Sequence, residues 1–121
     1  MTDKEYRELK RKIEKLITKW RDLLWLNKYR LHNTWVRGSK PESPNAGAQT
    51  DMRWEYLEAD FTWYLPNLLN LSDEELEECV VHEFCHILIS PLMYEDTEHG
   101  RMLYERVTTT VQRAISGVYN K

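Results

Sequence analysis

The amino-terminal part of the chain carries apolar side chains at the spacing of an α-helix. Between residues 2 and 27 they recur every three or four positions, while Lys and Arg occupy the opposite side. Thr2 followed by Glu5 forms a capping box, a common start of a helix. The pattern therefore predicts an amphipathic helix over residues 2–27. Its apolar positions are Tyr6, Leu9, Ile13, Leu16, Ile17, Trp20, Leu23 and Leu24.

The middle of the chain alternates between apolar and polar residues. Residues 29–36 form one such stretch, and residues 48–56 and 59–65 form two more, separated by a short break at 57–58. Because successive side chains of a β-strand point to opposite faces, this alternation predicts three strands, the last two joined as a hairpin. The stretch 38–47 is rich in Pro, Gly, Ser and Asn, which is typical of a loop.

Two more helices are predicted after Pro66, which ends the sheet region. Ser72 and Glu75 form a second capping box, and the helix that follows covers Asp73–Ile89. Another helix is predicted over residues 97–118. The resulting order, α-β-β-β-α-α, predicts an α+β fold with a small, mainly antiparallel, three-stranded sheet.

The composition narrows the class of protein. A chain of 121 residues is predicted to form a single domain over residues 1–121. The net charge of -3 and the pI of about 5.8 argue against nucleic-acid binding, and no apolar run approaches the ~20 residues of a membrane span. The charged amino terminus does not resemble a signal peptide. Cys79 and Cys85 lie on one predicted helix facing different directions, so no disulfide is expected. These features predict a cytoplasmic protein with no membrane partner.

The segment His82-Glu83-Phe84-Cys85-His86 is an HExxH motif within the second predicted long helix. Residues four apart on a helix are neighbours, so both imidazoles can bind one zinc ion. Glu83 is turned away from both histidines and can reach a zinc-activated water without binding the metal. The motif predicts that His82 and His86 bind Zn²⁺ and that Glu83 is the general base. Co²⁺ and Mn²⁺ would also suit such a site.

A third metal ligand is needed from elsewhere in the chain. Ile89 and Leu92 stand where an extended HExxHxxGxxH motif requires Gly and His, so that pattern is excluded. By resemblance to other HExxH sites, which take a glutamate or a histidine from the next helix, two residues of the last predicted helix are candidates. Glu105 lies nineteen residues after His86 and well inside that helix, and it is favoured; His99, near the helix start, is the alternative.

With these residues the chain resembles the zincin metallopeptidases, most closely the minimal gluzincin-like proteins of prokaryotes and their phages. The resemblance implies that His82, His86 and Glu105 bind zinc, that Glu83 is the base, and that the substrate is a peptide or protein. It further implies that an edge strand of the sheet, one of the two strands between residues 48 and 65, pairs with the extended substrate.

The chain also departs from the gluzincin pattern. Thr109 stands where such proteins often have an aspartate, and the chain is too short for a second subdomain. Tyr94 and Tyr104 are the candidates for stabilising the oxyanion. A zinc-stabilised binding or regulatory module with little turnover is one alternative function. A SprT-like protease using His99 as third ligand is another.

Overall fold

The computed structural model describes residues 1–38, 46–89 and 98–119, which form four helices and a three-stranded sheet of mixed direction. The fold is therefore α+β, as predicted. The predicted loop at 38–47 lies mostly outside the described residues, and Tyr94 and Thr97 lie outside them entirely. Within the described ranges, no helix combines the length and the apolar character needed to cross a membrane.

Helix α1 spans Asp3–Leu23 and begins with the predicted capping box. The Thr2 hydroxyl accepts a hydrogen bond from the Glu5 backbone amide, and the Glu5 carboxylate accepts one from the Thr2 amide. The helix ends earlier than predicted because Trp25 adopts a left-handed backbone conformation, with φ of 58°. An α-helix cannot continue through such a residue.

The sheet contains strands β1 (Arg30–Val36), β2 (Ala48–Arg53) and β3 (Glu58–Tyr64). Its strand order is β1-β3-β2, so β3 lies in the centre and β2 forms one edge. A 3-10 turn at Trp54–Tyr56 and a left-handed Leu57 connect β2 to β3. Strand β2 is therefore shorter than the alternation predicted.

The prediction of a mainly antiparallel sheet is correct for only one of the two strand pairs. Strands β2 and β3 are antiparallel, but β1 is parallel to β3. Alternation determines which side chains share a face of a strand, but it carries no information on which strand lies next to it or in which direction. The crossover between β1 and β2 therefore could not be predicted.

The carboxy-terminal half is helical. A short helix α2 (Leu65–Leu68), which was not predicted, has Pro66 in its first turn, where proline is well tolerated. Helix α3 covers Asp73–Ile89 as predicted, and its Ser72–Glu75 capping box is formed. Helix α4 covers Glu98–Tyr119.

The described residues form one hydrophobic core between the sheet and the helices. Phe61 and Trp63 on the central strand are fully buried and contact each other edge to face. Phe84 of α3 packs in the same way on Phe61. Since α3 also packs against α1 and α4, it is the central helix of the molecule.

Candidate metal centre

In its carboxy-terminal half, helix α3 carries three polar side chains, His82, Glu83 and His86, among apolar neighbours. His82 and His86 lie one turn apart, with their ring centroids separated by 4.9 Å. Glu83, between them in sequence, is almost fully buried, with 4% of its surface exposed. Neighbouring residues of α3, including Val80, Phe84 and Ile87, are packed in the core and fix the rotation of the helix.

Glu105 of α4 contacts both histidines of the motif. Its Oε2 lies 3.2 Å from Nε2 of His82, and its Oε1 lies 3.2 Å from Nε2 of His86. The three residues offer one ligand atom each, and these atoms all lie within 4.8 Å of one another. His82, His86 and Glu105 could therefore hold a metal ion.

His99, the alternative third ligand, lies on the same helix but away from this group. It is exposed and stands six residues before Glu105, which on an α-helix corresponds to about 9 Å along the axis and roughly 240° around it. Among the described residues, the group that could hold a metal contains Glu105 and does not contain His99. The geometry therefore favours Glu105, while its role as a ligand stays a prediction.

Protonation in the metal-free site follows from these contacts. The hydrogen bond from His82 lowers the pKa of Glu105, and the same contact raises the pKa of His82. Burial lowers the pKa of His86. A metal ion needs an ionised carboxylate and neutral imidazoles. Glu105 and His86 are thus biased towards the binding form, whereas a proton on His82 competes with the metal.

Glu83 is held in a different environment from Glu105. Burial raises its pKa to about 7, against the effect of a hydrogen bond from Thr50. The Thr50 hydroxyl donates this bond to Oε1 of Glu83 over 2.7 Å. No described side chain donates a hydrogen bond to the other carboxylate oxygen, and Glu83 lines a cleft.

The cleft has a volume of about 520 Å³ and separates β2 from α4. Residues 48–52 of β2 form one wall, the polar side chains of α3 form the floor, and α4 forms the other wall. Strand β2 pairs with β3 on one side only, so its second edge is free of strand pairing within the described residues. The group that could hold a metal ion and a strand edge that no described strand pairs with therefore share one cleft.

The sequence did not indicate two of the residues in this cleft. Thr50 had only a weak signal, as a hydroxyl on the inward face between Ala48 and Met52. Arg101, on α4 one turn before Glu105, had none, since an arginine on a helix is usually a solvated surface residue. It is the only Lys or Arg side chain among the described residues that line the cleft.

Tyr104, one of the two oxyanion candidates, is engaged with α3. Its hydroxyl donates a hydrogen bond to the backbone oxygen of His86 over 3.2 Å, and its ring stacks on the His86 imidazole. It therefore braces His86 from α4. Thr108, one turn beyond Glu105, is engaged with the helix backbone, because its hydroxyl donates a hydrogen bond to the backbone oxygen of Tyr104.

Both cysteines are free, as predicted. Cys85 is buried in the core, and Cys79 is half-buried beside Gly47. Burial raises the pKa of each thiol to about 12, so neither is a reactive thiolate at neutral pH. In the described part of the chain, neither sulfur belongs to the group that could hold a metal.

Comparison of the chain with protein-family models, with curated proteins and with solved structures finds no match.

Proposed function

We propose that this protein is a zinc-dependent peptidase of the zincin type. In this proposal His82, His86 and Glu105 hold the zinc ion and Glu83 is the general base. The observation that carries it is the Glu105 carboxylate between the two imidazoles of the HExxH motif, 3.2 Å from each Nε2. Nineteen residues separate Glu105 from His86 in sequence, so only the packing of α4 on α3 explains the approach.

The donor set fits zinc in both chemistry and spacing. Two imidazole nitrogens and one carboxylate form a three-ligand set that leaves a fourth position open, as in catalytic zinc sites. Ligand atoms bound about 2.0–2.2 Å from a tetrahedral zinc ion lie roughly 3.3–3.6 Å from each other. The two nitrogen–oxygen distances of 3.2 Å, each to a different oxygen of Glu105, are close to that spacing, and the three ligand atoms lie within 4.8 Å of one another.

Each residue then has a distinct task in peptide hydrolysis. Zinc held by His82, His86 and Glu105 would supply Lewis-acid chemistry, which could polarise a peptide carbonyl and lower the pKa of water towards about 7. Glu83 takes the proton of the attacking water on the carboxylate oxygen that Thr50 does not occupy, and passes it to the leaving amine.

The free edge of β2 supports a peptide as the substrate. An extended peptide could add to this edge as a further strand and form backbone hydrogen bonds along it. The scissile bond would then lie between β2 and the floor of the cleft, where His82, Glu83 and His86 are located. An open cleft of this kind suits an unfolded segment better than a compact domain.

Metal content tests the ligand set directly. Wild-type protein reconstituted with zinc should contain one zinc per chain by elemental mass spectrometry. Glu105→Ala should lose most of it, whereas His99→Ala should keep it, because His99 lies outside the site. His32→Ala, which removes an exposed histidine of β1, is the matched control. Loss of zinc in His99→Ala with retention in Glu105→Ala would reject the proposed ligand set.

Activity tests the role of Glu83 separately from the metal. Glu83→Gln should retain zinc but lose hydrolysis of an unstructured protein such as casein by at least about a hundredfold. Full zinc occupancy without cleavage by the wild type would instead identify a zinc-stabilised binding or regulatory module. Unchanged hydrolysis by Glu83→Gln would contradict the general-base role.

A further inference from the structure

Thr50 is the only described residue whose side chain donates a hydrogen bond to the Glu83 carboxylate. Its hydroxyl lies 2.7 Å from Oε1 of Glu83, and 3.4 Å from the backbone oxygen of the same residue. The shorter contact is the effective hydrogen bond, because a hydroxyl has a single proton to donate. This contact joins the edge strand β2 to the metal-binding helix α3.

The sheet determines where the Thr50 hydroxyl points. In the β2–β3 register, Thr50 lies opposite Phe61, which is buried and faces the helices. Ala48 and Met52, two positions away on either side, belong to the same face. The threonine side chain is β-branched. It therefore favours a strand, and its χ1 angle is restricted. Its hydroxyl is therefore held in place by the backbone of β2.

The contact places the two oxygens of the Glu83 carboxylate in different environments. Oε1 is occupied by Thr50, and the other oxygen accepts no hydrogen bond from a described side chain. A glutamate has several rotatable bonds, and the apolar neighbours Val80 and Phe84 on α3 offer no hydrogen bond that could fix its carboxylate. Without Thr50, the carboxylate could rotate away from the position of the attacking water.

We propose that Thr50 is a positioning residue that aims the general base Glu83. This inference rests on the proposed peptidase function and extends it. Because a peptide would pair with the free edge of β2, the strand that holds the substrate is also the strand that holds the base. Strand β2 would thus fix the Glu83 carboxylate through the Thr50 side chain and the scissile bond through its own backbone.

The substitution Thr50→Val tests the proposal with little disturbance of the fold. Valine keeps the β-branched shape and the strand preference of threonine but cannot donate a hydrogen bond. We expect kcat to fall about 10- to 100-fold, the size of effect that outer partners of metal-site residues show. The KM and the zinc content should stay within about twofold of the wild type, because the Thr50 side chain touches neither a metal ligand nor, by this proposal, the substrate backbone.

Two further variants separate positioning from a general effect on the sheet. Thr50→Ser retains the hydroxyl and should recover most of the lost kcat. Thr62→Val makes the same change in the central strand, on the opposite face of the sheet, and should leave kcat unchanged. Equal losses in Thr50→Val and Thr62→Val, or no recovery in Thr50→Ser, would overturn the proposal.

A measurement without zinc or substrate tests the contact itself. In metal-free protein, urea unfolding gives the effect of Thr50→Val on the unfolding equilibrium constant. This effect should be several-fold smaller, or reversed, in a Glu83→Met background, where no acceptor is left to lose its donor. Additive effects of the two substitutions would show that the hydroxyl does not hold the carboxylate, and would overturn the proposal.

The outcomes distinguish this inference from the function on which it rests. If the wild type cleaves its substrate and Glu83→Gln does not, the proposed function stands. A Thr50→Val variant with wild-type kcat would then reject the positioning role alone. A wild type that binds zinc but cleaves nothing would reject both.

Discussion

Helices α1 and α4 have nearly the same length, 21 and 22 residues, and both pack against α3, yet they are attached to it by different forces. Helix α1 places four residues in the buried core, and Ile13 and Trp20 among them have no exposed surface. Helix α4 contributes no large apolar side chain to the fully buried core among its described residues. Its partly buried Val111 and Ile115 only pack against the edge of that core.

What α4 buries is largely polar. Thr108 and Gln112 are its buried side chains of any size, while Met102, Leu103 and Val107 are exposed. Its contacts with α3 include the Glu105 carboxylate and the Tyr104 hydroxyl. Because burial of an apolar side chain contributes about 1.5–3 kcal/mol, α1 is held by the hydrophobic effect and α4 depends more on the site. Helix α1 is therefore a scaffold, which mainly stabilises the fold. Helix α4 is a site element, which mainly contributes side chains to the cleft.

The largest expected effect is on the free energy of unfolding, which a core substitution in α1 should lower far more than a surface substitution in α4. Trp20→Ala should lower the free energy of unfolding by about 3–5 kcal/mol, because it leaves a large cavity beneath α1. Met102→Ala should change it by less than about 0.5 kcal/mol, because the side chain is 65% exposed. Urea unfolding followed by tryptophan fluorescence and circular dichroism measures both. Similar losses in the two variants would contradict the contrast between the helices.

Glu83, at the floor of the cleft, should make the stability of the protein depend on pH. In metal-free protein, Glu83 has its pKa raised from 4.5 to about 7, so the folded state retains a proton that the unfolded state releases. The stability contribution is therefore present at low pH and is lost as the pH rises from about 4.5 to 7. Glu83→Gln does not titrate, so its stability relative to the wild type should increase by on the order of 3 kcal/mol between pH 4.5 and pH 8.

Urea unfolding in the presence of a chelator, at several pH values, measures this difference. Glu75→Gln is a suitable comparison, because Glu75 is an exposed carboxylate of the same helix whose pKa is lowered by its capping bonds to Ser72. Its stability relative to the wild type should not rise with pH. A constant difference between wild type and Glu83→Gln from pH 4.5 to 8 would show that the carboxylate is not buried as described.

The smallest expected effect is the change in hydrogen exchange of α4 when zinc is added. Zinc at about 100 times its dissociation constant should add roughly 2.7 kcal/mol to any opening that separates α4 from α3. Amides of α4 around Glu105 should therefore exchange hydrogen about a hundredfold more slowly with zinc than without it. In metal-free protein they should exchange before the central amides of α1, because α4 lacks deeply buried apolar anchors.

Hydrogen exchange followed by mass spectrometry measures both helices in one experiment. Glu105→Ala is the control, since without the third ligand zinc should protect α4 far less. If α4 were as protected as α1 in the absence of metal, the distinction between scaffold and site element would be wrong.

Local patterns predicted much of this molecule because their causes are local. The spacing of apolar residues predicted α1 and a capping box predicted the start of α3. Both capping boxes are formed, between residues three apart. The alternation over residues 59–65 places Ala59, Phe61 and Trp63 on one face of a strand, and all three are fully buried. The HExxH spacing places His82 and His86 on one side of a helix whatever surrounds it.

The tertiary structure decided the rest, because the contacts involved join distant parts of the chain. The parallel pairing of β1 with β3 depends on a crossover that alternation does not encode. The approach of Glu105 rather than His99 to the histidines depends on how α4 is rotated and shifted along α3. The Thr50–Glu83 hydrogen bond joins a strand and a helix 33 residues apart. The sequence by itself determined two histidines and a glutamate on one helix, and only the packing of β2 and α4 around that helix brought their partners into place.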